Sequence, residues 1–157
     1  MKVTIVGLGN AARGDDAIGP RVIEALTAAP LPNDTSLACA SDGAALLELF
    51  EPGQAYVLVD AVADPSHVGE LHYLEPHQLK AGPRSRLGTS SHALGVVESL
   101  GIASALDQVD AERVHLLGIA IDPRQVALGA GLSSELERVI PKASAEALLI
   151  AARLRDA

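Results

Sequence analysis

The side chains able to do chemistry gather in a few short stretches of this chain. The first is Gly7-Leu8-Gly9-Asn10-Ala11-Ala12, followed by Arg13-Gly14-Asp15-Asp16. A G-x-G-x-x-A pattern after an apolar run matches the dinucleotide-binding fingerprint in its loosest form. A nucleotide site begins its helix at once and holds the pyrophosphate on the bare helix N-terminus. Here two carboxylates stand just before a helix that opens near Ile18, where they occupy and repel an anion's place. The acid expected about 20 residues on to hold a ribose is also missing, since Asp34 and Asp42 are poorly placed. Helix capping is the plainest role for Asp15. Two adjacent acids need only one cap, which leaves Asp16 free for other work.

Asp60 closes the buried-strand pattern Ala55–Val59. Two roles are open to it: capping a turn with Asp64-Pro65, or standing at the lip of a crevice between strands. The second follows if the first helix crosses one face of the sheet and the second helix the other. The strand order is then 2-1-3, and Asp16 and Asp60 share the topological switch point where open α/β sheets bind ligands. His92 opens a third helix, with Ser90 or Ser91 as its cap. A helix N-terminus disfavours imidazolium and so favours the neutral ring that ligates metals. A lone histidine is more often a surface or packing residue, and partners decide between the two. His67 and His77 fall in loops near prolines and are read as lacking a paired ligand three or four residues on. His72 and His115 lie inside strands and are expected to pack or face solvent. Cys39, the only cysteine, is expected to be a small buried hydrophobe. No Gly-x-Ser-x-Gly elbow and no His-Glu-x-x-His zinc helix occurs in the sequence.

The elements that must position these residues alternate between two periods. Val3–Val6, Ala55–Val59 and Arg113–Ile121 are nearly continuous apolar runs, the pattern of strands buried on both faces. Ser36–Ala40 is a weaker strand. Ile18, Val22, Ala25 and Leu26 repeat with helical spacing up to Pro30, and Ala44–Phe50 forms a short helix closed by Pro52-Gly53. Ala93, Val96, Val97 and Leu100 give another helix. A last helix begins near Leu132, breaks or restarts at Pro141, and carries an apolar stripe of Ala145, Leu148, Leu149 and Ala152. Glu75–Ser90 and Asp122–Gly131 read as loops. Too few residues separate Val59 from the Glu70–Leu74 strand for a parallel crossover, so that strand is expected to run antiparallel at an edge. The expected fold is a three-layer α/β sandwich: a mostly parallel sheet of about five strands with helices on both faces.

Size and composition agree with a single domain over residues 1–157. The 157 residues are 48% hydrophobic and 20% charged, which excludes a disordered chain. Twenty acids against twelve bases leave a net charge of −8. With Phe50, Tyr56 and Tyr73 as the only aromatics, there is neither a basic stripe nor a stacking platform for nucleic acid. No apolar run reaches the ~20 residues that span a bilayer. The N-terminal MKVTIVGLGN carries no apolar segment ending in a cleavage site, so a cytoplasmic protein is expected.

Taken in order, Gly7-Leu-Gly-Asn10, Asp15-Asp16-Ala17-Ile18-Gly19, Val57-Leu-Val-Asp60-Ala61, Ser91-His92, Gly118-Ile-Ala-Ile-Asp-Pro123 and Gly131-Leu-Ser133 resemble the nickel–iron hydrogenase maturation endopeptidases. The resemblance covers nearly the whole chain. It implies a small α/β endopeptidase that removes a C-terminal extension from the hydrogenase large-subunit precursor after nickel insertion. It also implies that Asp16, Asp60 and His92 are the metal-associated and catalytic residues, with nickel arriving in the substrate. The chain departs from the family in two places: some members carry Glu where Asp16 stands, and members often carry Gly-Thr in place of Ala44-Ala45. Two carboxylates and an imidazole make a nitrogen–oxygen site, a ligand set that admits nickel, zinc or manganese. Three protein ligands leave positions open for water or substrate. No serine or cysteine nucleophile with a base is evident, so hydrolysis needs a water activated by metal or carboxylate. A nucleotide-binding module using the glycine loop and a non-cleaving nickel carrier are the alternative functions.

Overall fold

A computed structural model describes residues 1–80 and 91–157, with the backbone alone for residues 91–94. Five strands form one sheet in the order β2-β1-β3-β5-β4. They are β1 (Val3–Leu8), β2 (Thr35–Ala40), β3 (Ala55–Ala63), β4 (Leu71–Leu74) and β5 (Val114–Ile121). All neighbours pair in parallel except β4 and β5, which are antiparallel. The order 2-1-3 and the antiparallel edge strand are those the sequence predicts. β1, β3 and β5 are built largely from Val, Ile and Leu because both of their faces are covered, and nearly every residue in them is buried.

Helix α1 (Ile18–Thr27) and the C-terminal helix α5 (Ser134–Arg155) cover one face. Val22, Ile23, Leu136, Ile140 and Ala147 pack there against Ile5, Val57, Val59 and Leu117. The other face carries α2 (Gly43–Leu49), α3 (Pro76–Lys80) and α4 (Ser91–Ala105). Leu46, Leu79, Val96 and Leu100 meet Val6, Leu58 and Leu116 on that side. Because α1 and α2 lie on opposite faces, the β1/β3 boundary is the switch point of the sheet.

Four expectations need correction. β3 does not end before Asp60 but runs on to Ala63, because β5 keeps pairing with it from Tyr56 to Ala63 after β1 has turned away. Within the expected loop 75–90, residues 76–80 form α3, which Pro76 opens and buried Leu79 anchors; residues 81–90 lie outside the described part. Helix α5 passes through Pro141 unbroken. Its buried face is Leu136, Ile140, Ala143, Ala147, Ile150 and Ala151, whereas Leu149 is 46% exposed. The stripe that touches the sheet is thus rich in alanine, which lets the helix lie close. Cys39 is exposed rather than buried, because β2 is an edge strand only partly covered.

Candidate functional site

Asp15 and Asp16 lie in a 3-10 turn, Gly14–Ala17, that runs straight into α1. Both are buried, at 1% and 5% exposure. Asp15 does not cap α1, whose N-cap residue Ala17 offers no side-chain bond. Its carboxylate accepts hydrogen bonds from the Ser133 amide at 2.7 Å and the Ser133 hydroxyl at 2.9 Å. Ser133 is the N-cap of α5. The acid assigned to its own helix therefore ties the turn to a helix at the far end of the chain.

Asp16 sits inside the glycine loop. Its Oδ2 accepts the Asn10 amide at 2.8 Å. Asn10 in turn holds the loop with its side-chain oxygen on the Ala12 amide at 2.9 Å. Gly9 has φ +128, and a Cβ there would stand 2.2 Å from the Asp16 carbonyl oxygen, so only glycine fits. Gly19 meets a similar demand: its Cβ would lie 2.3 Å from the Leu8 oxygen and 2.6 Å from the Val59 oxygen. The glycines thus bring α1 down onto the strand ends and fold the loop around a carboxylate. Asp16 thus already holds the Asn10 amide, one of the loop N–H groups that an anion would otherwise attract.

Asp60 is fully buried in β3. Asp60 lies inside the strand, and the turn at Pro65–His67 starts from Asp64. Along β3, Tyr56 and Leu58 face the α2/α4 layer while Val57 and Val59 face α1 and α5. By the period of two, Asp60 shares the face of Leu58. Its cross-strand partner on β5 is Gly118, which presents no side chain beside it. β1 pairs with β3 only as far as Gly7 opposite Val59, so Asp60 is the first residue of β3 past the end of that pairing. The turn carrying Asp16 packs on β3, and Gly19 lies over Val59 next to Asp60. Both acids therefore belong to elements that meet at the switch point. His92 occupies the first turn of α4, the layer that Asp60 faces; its side chain lies outside the described part.

The loop after β5 closes over the glycine loop. The Gly129 amide donates to the Ala12 oxygen at 2.7 Å and the Gly14 amide to the Ala130 oxygen at 3.1 Å. Asp122 opens this loop, where the Arg124 guanidinium beside it holds its carboxyl below the usual carboxylate range. Asp42 is an ordinary helix cap, accepting the Ala45 amide at 2.8 Å. Sequence reading missed a second cluster. Asp64, His67 and Glu70 bring potential metal-ligating atoms together, and His72 adjoins them. The Asp64-x-x-His67-x-x-Glu70 spacing carried that signal, so His67 does have partners three residues away on both sides.

No protein-family profile and no curated protein sequence matches the chain. Solved structures do. The hydrogenase maturating endopeptidase HybD from E. coli is similar with a TM-score of 0.78 and 23% identity, over 99% of this chain and 93% of its own. A NiFe hydrogenase maturation protease HybD from Thermococcus kodakarensis gives 0.76 and 24%, over 96% and 99%. A hydrogenase 2 maturation peptidase from a Thaumarchaeota archaeon gives 0.61 at 26% identity, over 95% and 97%. The chain thus has the fold of hydrogenase maturation endopeptidases along nearly its whole length.

Proposed function

We propose that this chain is a cytoplasmic endopeptidase that removes the C-terminal extension of a nickel–iron hydrogenase large-subunit precursor, and that Asp16, Asp60 and His92 recognise the nickel carried by that substrate. One observation carries the reading. In a fold shared with hydrogenase maturation endopeptidases, two carboxylates that an ordinary soluble core would exclude are buried on elements meeting at the sheet's switch point. The donor set of two carboxylates and an imidazole suits a divalent ion of the nickel class.

The nickel belongs to the precursor and enters with it. When bound, such an ion supplies Lewis acidity and a fixed point from which the scissile peptide is located. The chain's own groups then position and move a proton. A water oxygen adds to the carbonyl carbon as a site carboxylate takes its proton. The carbon–nitrogen bond breaks, and that proton leaves on the departing amine. The Asn10 amide bond to Asp16 fixes one carboxylate in place for this work. The same bond disfavours the nucleotide-binding reading. Incubating nickel-loaded and nickel-free precursor with the chain, read by mass spectrometry, tests the proposal. Shortening of the loaded form alone is expected. Binding without shortening would leave a carrier, and saturable nucleotide binding would favour the other alternative.

A further inference from the structure

We propose that Asp64, His67 and Glu70, with His72 beside them, form a second divalent-metal site, held by the β3–β4 connection, that takes a first-row transition ion such as zinc. Ligand atoms of Asp64, His67 and Glu70 all lie within 4.8 Å of one another. His67 Nδ1 is 3.1 Å from each Asp64 oxygen. His72 Nε2 lies 3.8 Å from Asp64 Oδ2 and 3.6 Å from Glu70 Oε2. Ligands about 2.1 Å from a tetrahedral ion stand about 3.4 Å from each other, so these spacings bracket what one ion needs.

Asp64 and His67 make an ordinary surface ion pair, while His72 stands within ion-pair distance of two carboxylates without a hydrogen bond to either. Its Nε2 is buried and has no hydrogen-bond partner among the described residues. It points between two carboxylates at separations too long for hydrogen bonds. A cation held by Asp64, His67 and Glu70 gives both acids a counter-charge and offers that nitrogen a partner.

The frame is fixed before any ion arrives. The Asp64 amide donates to the Ile121 oxygen at 3.0 Å, the Gly69 amide to the Ala120 oxygen at 2.8 Å, and the Ala120 amide to the Glu70 oxygen at 2.9 Å. The 3-10 turn Pro65–His67 folds His67 back over Asp64. Gly69, with φ +87, then reverses the chain so that Glu70 and His72 return alongside. The cluster is separate from Asp60. His72, Gly118 and Asp60 form one cross-strand row, and the Val62 methyls cover the intervening Gly118, 3.0 and 3.3 Å from where its Cβ would be.

The test uses full-length chain carrying Asp60→Asn, so that the first site does not compete. Zinc is titrated calorimetrically, and the melting temperature is recorded with and without zinc. One saturating equivalent and a zinc-dependent rise in melting temperature are expected. His67→Gln with His72→Gln in that background should weaken zinc by more than about 100-fold, since losing two ligands must exceed the cost of losing outer-shell partners. Glu70→Gln, at a more exposed position, provides an independent loss if the double variant folds poorly. Unchanged zinc affinity in these variants, or no saturable zinc in the Asp60→Asn parent, would overturn the proposal.

Discussion

Asp15 and Asp16 are adjacent, both buried and chemically alike, yet their partners assign them different work. Asp15 accepts two hydrogen bonds from Ser133, 118 positions away. Asp15→Ala leaves the half-buried Ser133 amide without that acceptor, a loss of about 1–3 kcal/mol. At about 2–4 °C per kcal/mol for a chain of this size, a thermal melt should fall by about 2–12 °C. Cleavage below the melting range should persist. Loss of cleavage without loss of stability would place Asp15 in the chemistry instead. The sequence made both acids visible but assigned Asp15 to its own helix, because a capping preference is local and a bond across 118 positions leaves no spacing to read. The Asp64/His67/Glu70 cluster failed in the opposite sense. Its spacing was present, but only Gly69 turning the chain back adds His72.

A second prediction at this scale concerns proton uptake. Burial pushes the His115 imidazole below its ordinary value, with the Glu75 carboxylate pulling the other way. Burial pushes the Tyr73 phenol up, so its hydroxyl keeps its proton, and it shares a 2.6 Å hydrogen bond with His115 Nδ1. The unfolded chain takes up the imidazole proton near pH ~6.5, while the folded chain does so only at lower pH. His115 therefore costs no stability above that pH, and stability falls as pH drops from there towards the folded value. Urea unfolding across mildly acidic pH should show this slope reduced in His115→Gln. Equal slopes in the two proteins would contradict the assignment.

At the scale of elements, alternation and length carried most of the fold. The three apolar runs are strands, and the short 61–69 connection does force β4 antiparallel. What the pattern did not carry was set by neighbours. β3 outruns its predicted end because β5 continues the ladder, and this moves Asp60 from the end of the strand into its interior. α5 carries Pro141 because alanines on its inner face pack it along the sheet, which overrides a local break. Pro141 is itself exposed, so replacing it disturbs no core. A proline in a helix interior costs about 3 kcal/mol, and its rigidity in the unfolded chain returns about 0.4–1 kcal/mol. Pro141→Ala should therefore stabilise by about 2 kcal/mol, seen as a melting temperature about 4–8 °C higher. No change, or a decrease, would mean that Pro141 is needed for the fit of α5.

Over the whole molecule, the sheet carries one apolar layer on each face and keeps its charges for the surface, the switch point and the β3–β4 turn. None of the described helices is long and apolar enough to cross a membrane. The ordered motifs point to the fold because each marks a close approach or a buried acid: Gly9 and Gly19 against backbone oxygens, Asp16 in the loop, Asp60 facing Gly118. His92 was legible as a residue type at a helix start, and the backbone places it in the first turn of α4.

The central claim is that Asp60 acts on the nickel-bearing substrate and does not merely shape β3. Asp60→Asn keeps the side chain's size while removing its charge and most of its worth as a ligand. An amide is cheaper to bury than a carboxylate, so the melting temperature should hold or rise. The decisive measurement is the cleavage rate of nickel-loaded large-subunit precursor by wild type and Asp60→Asn, at matched folding and with nickel-free precursor alongside. The account predicts cleavage of the loaded precursor alone by wild type, and its collapse in a fully folded Asp60→Asn. Undiminished cleavage by Asp60→Asn, or equal cleavage of loaded and nickel-free precursor, would contradict it.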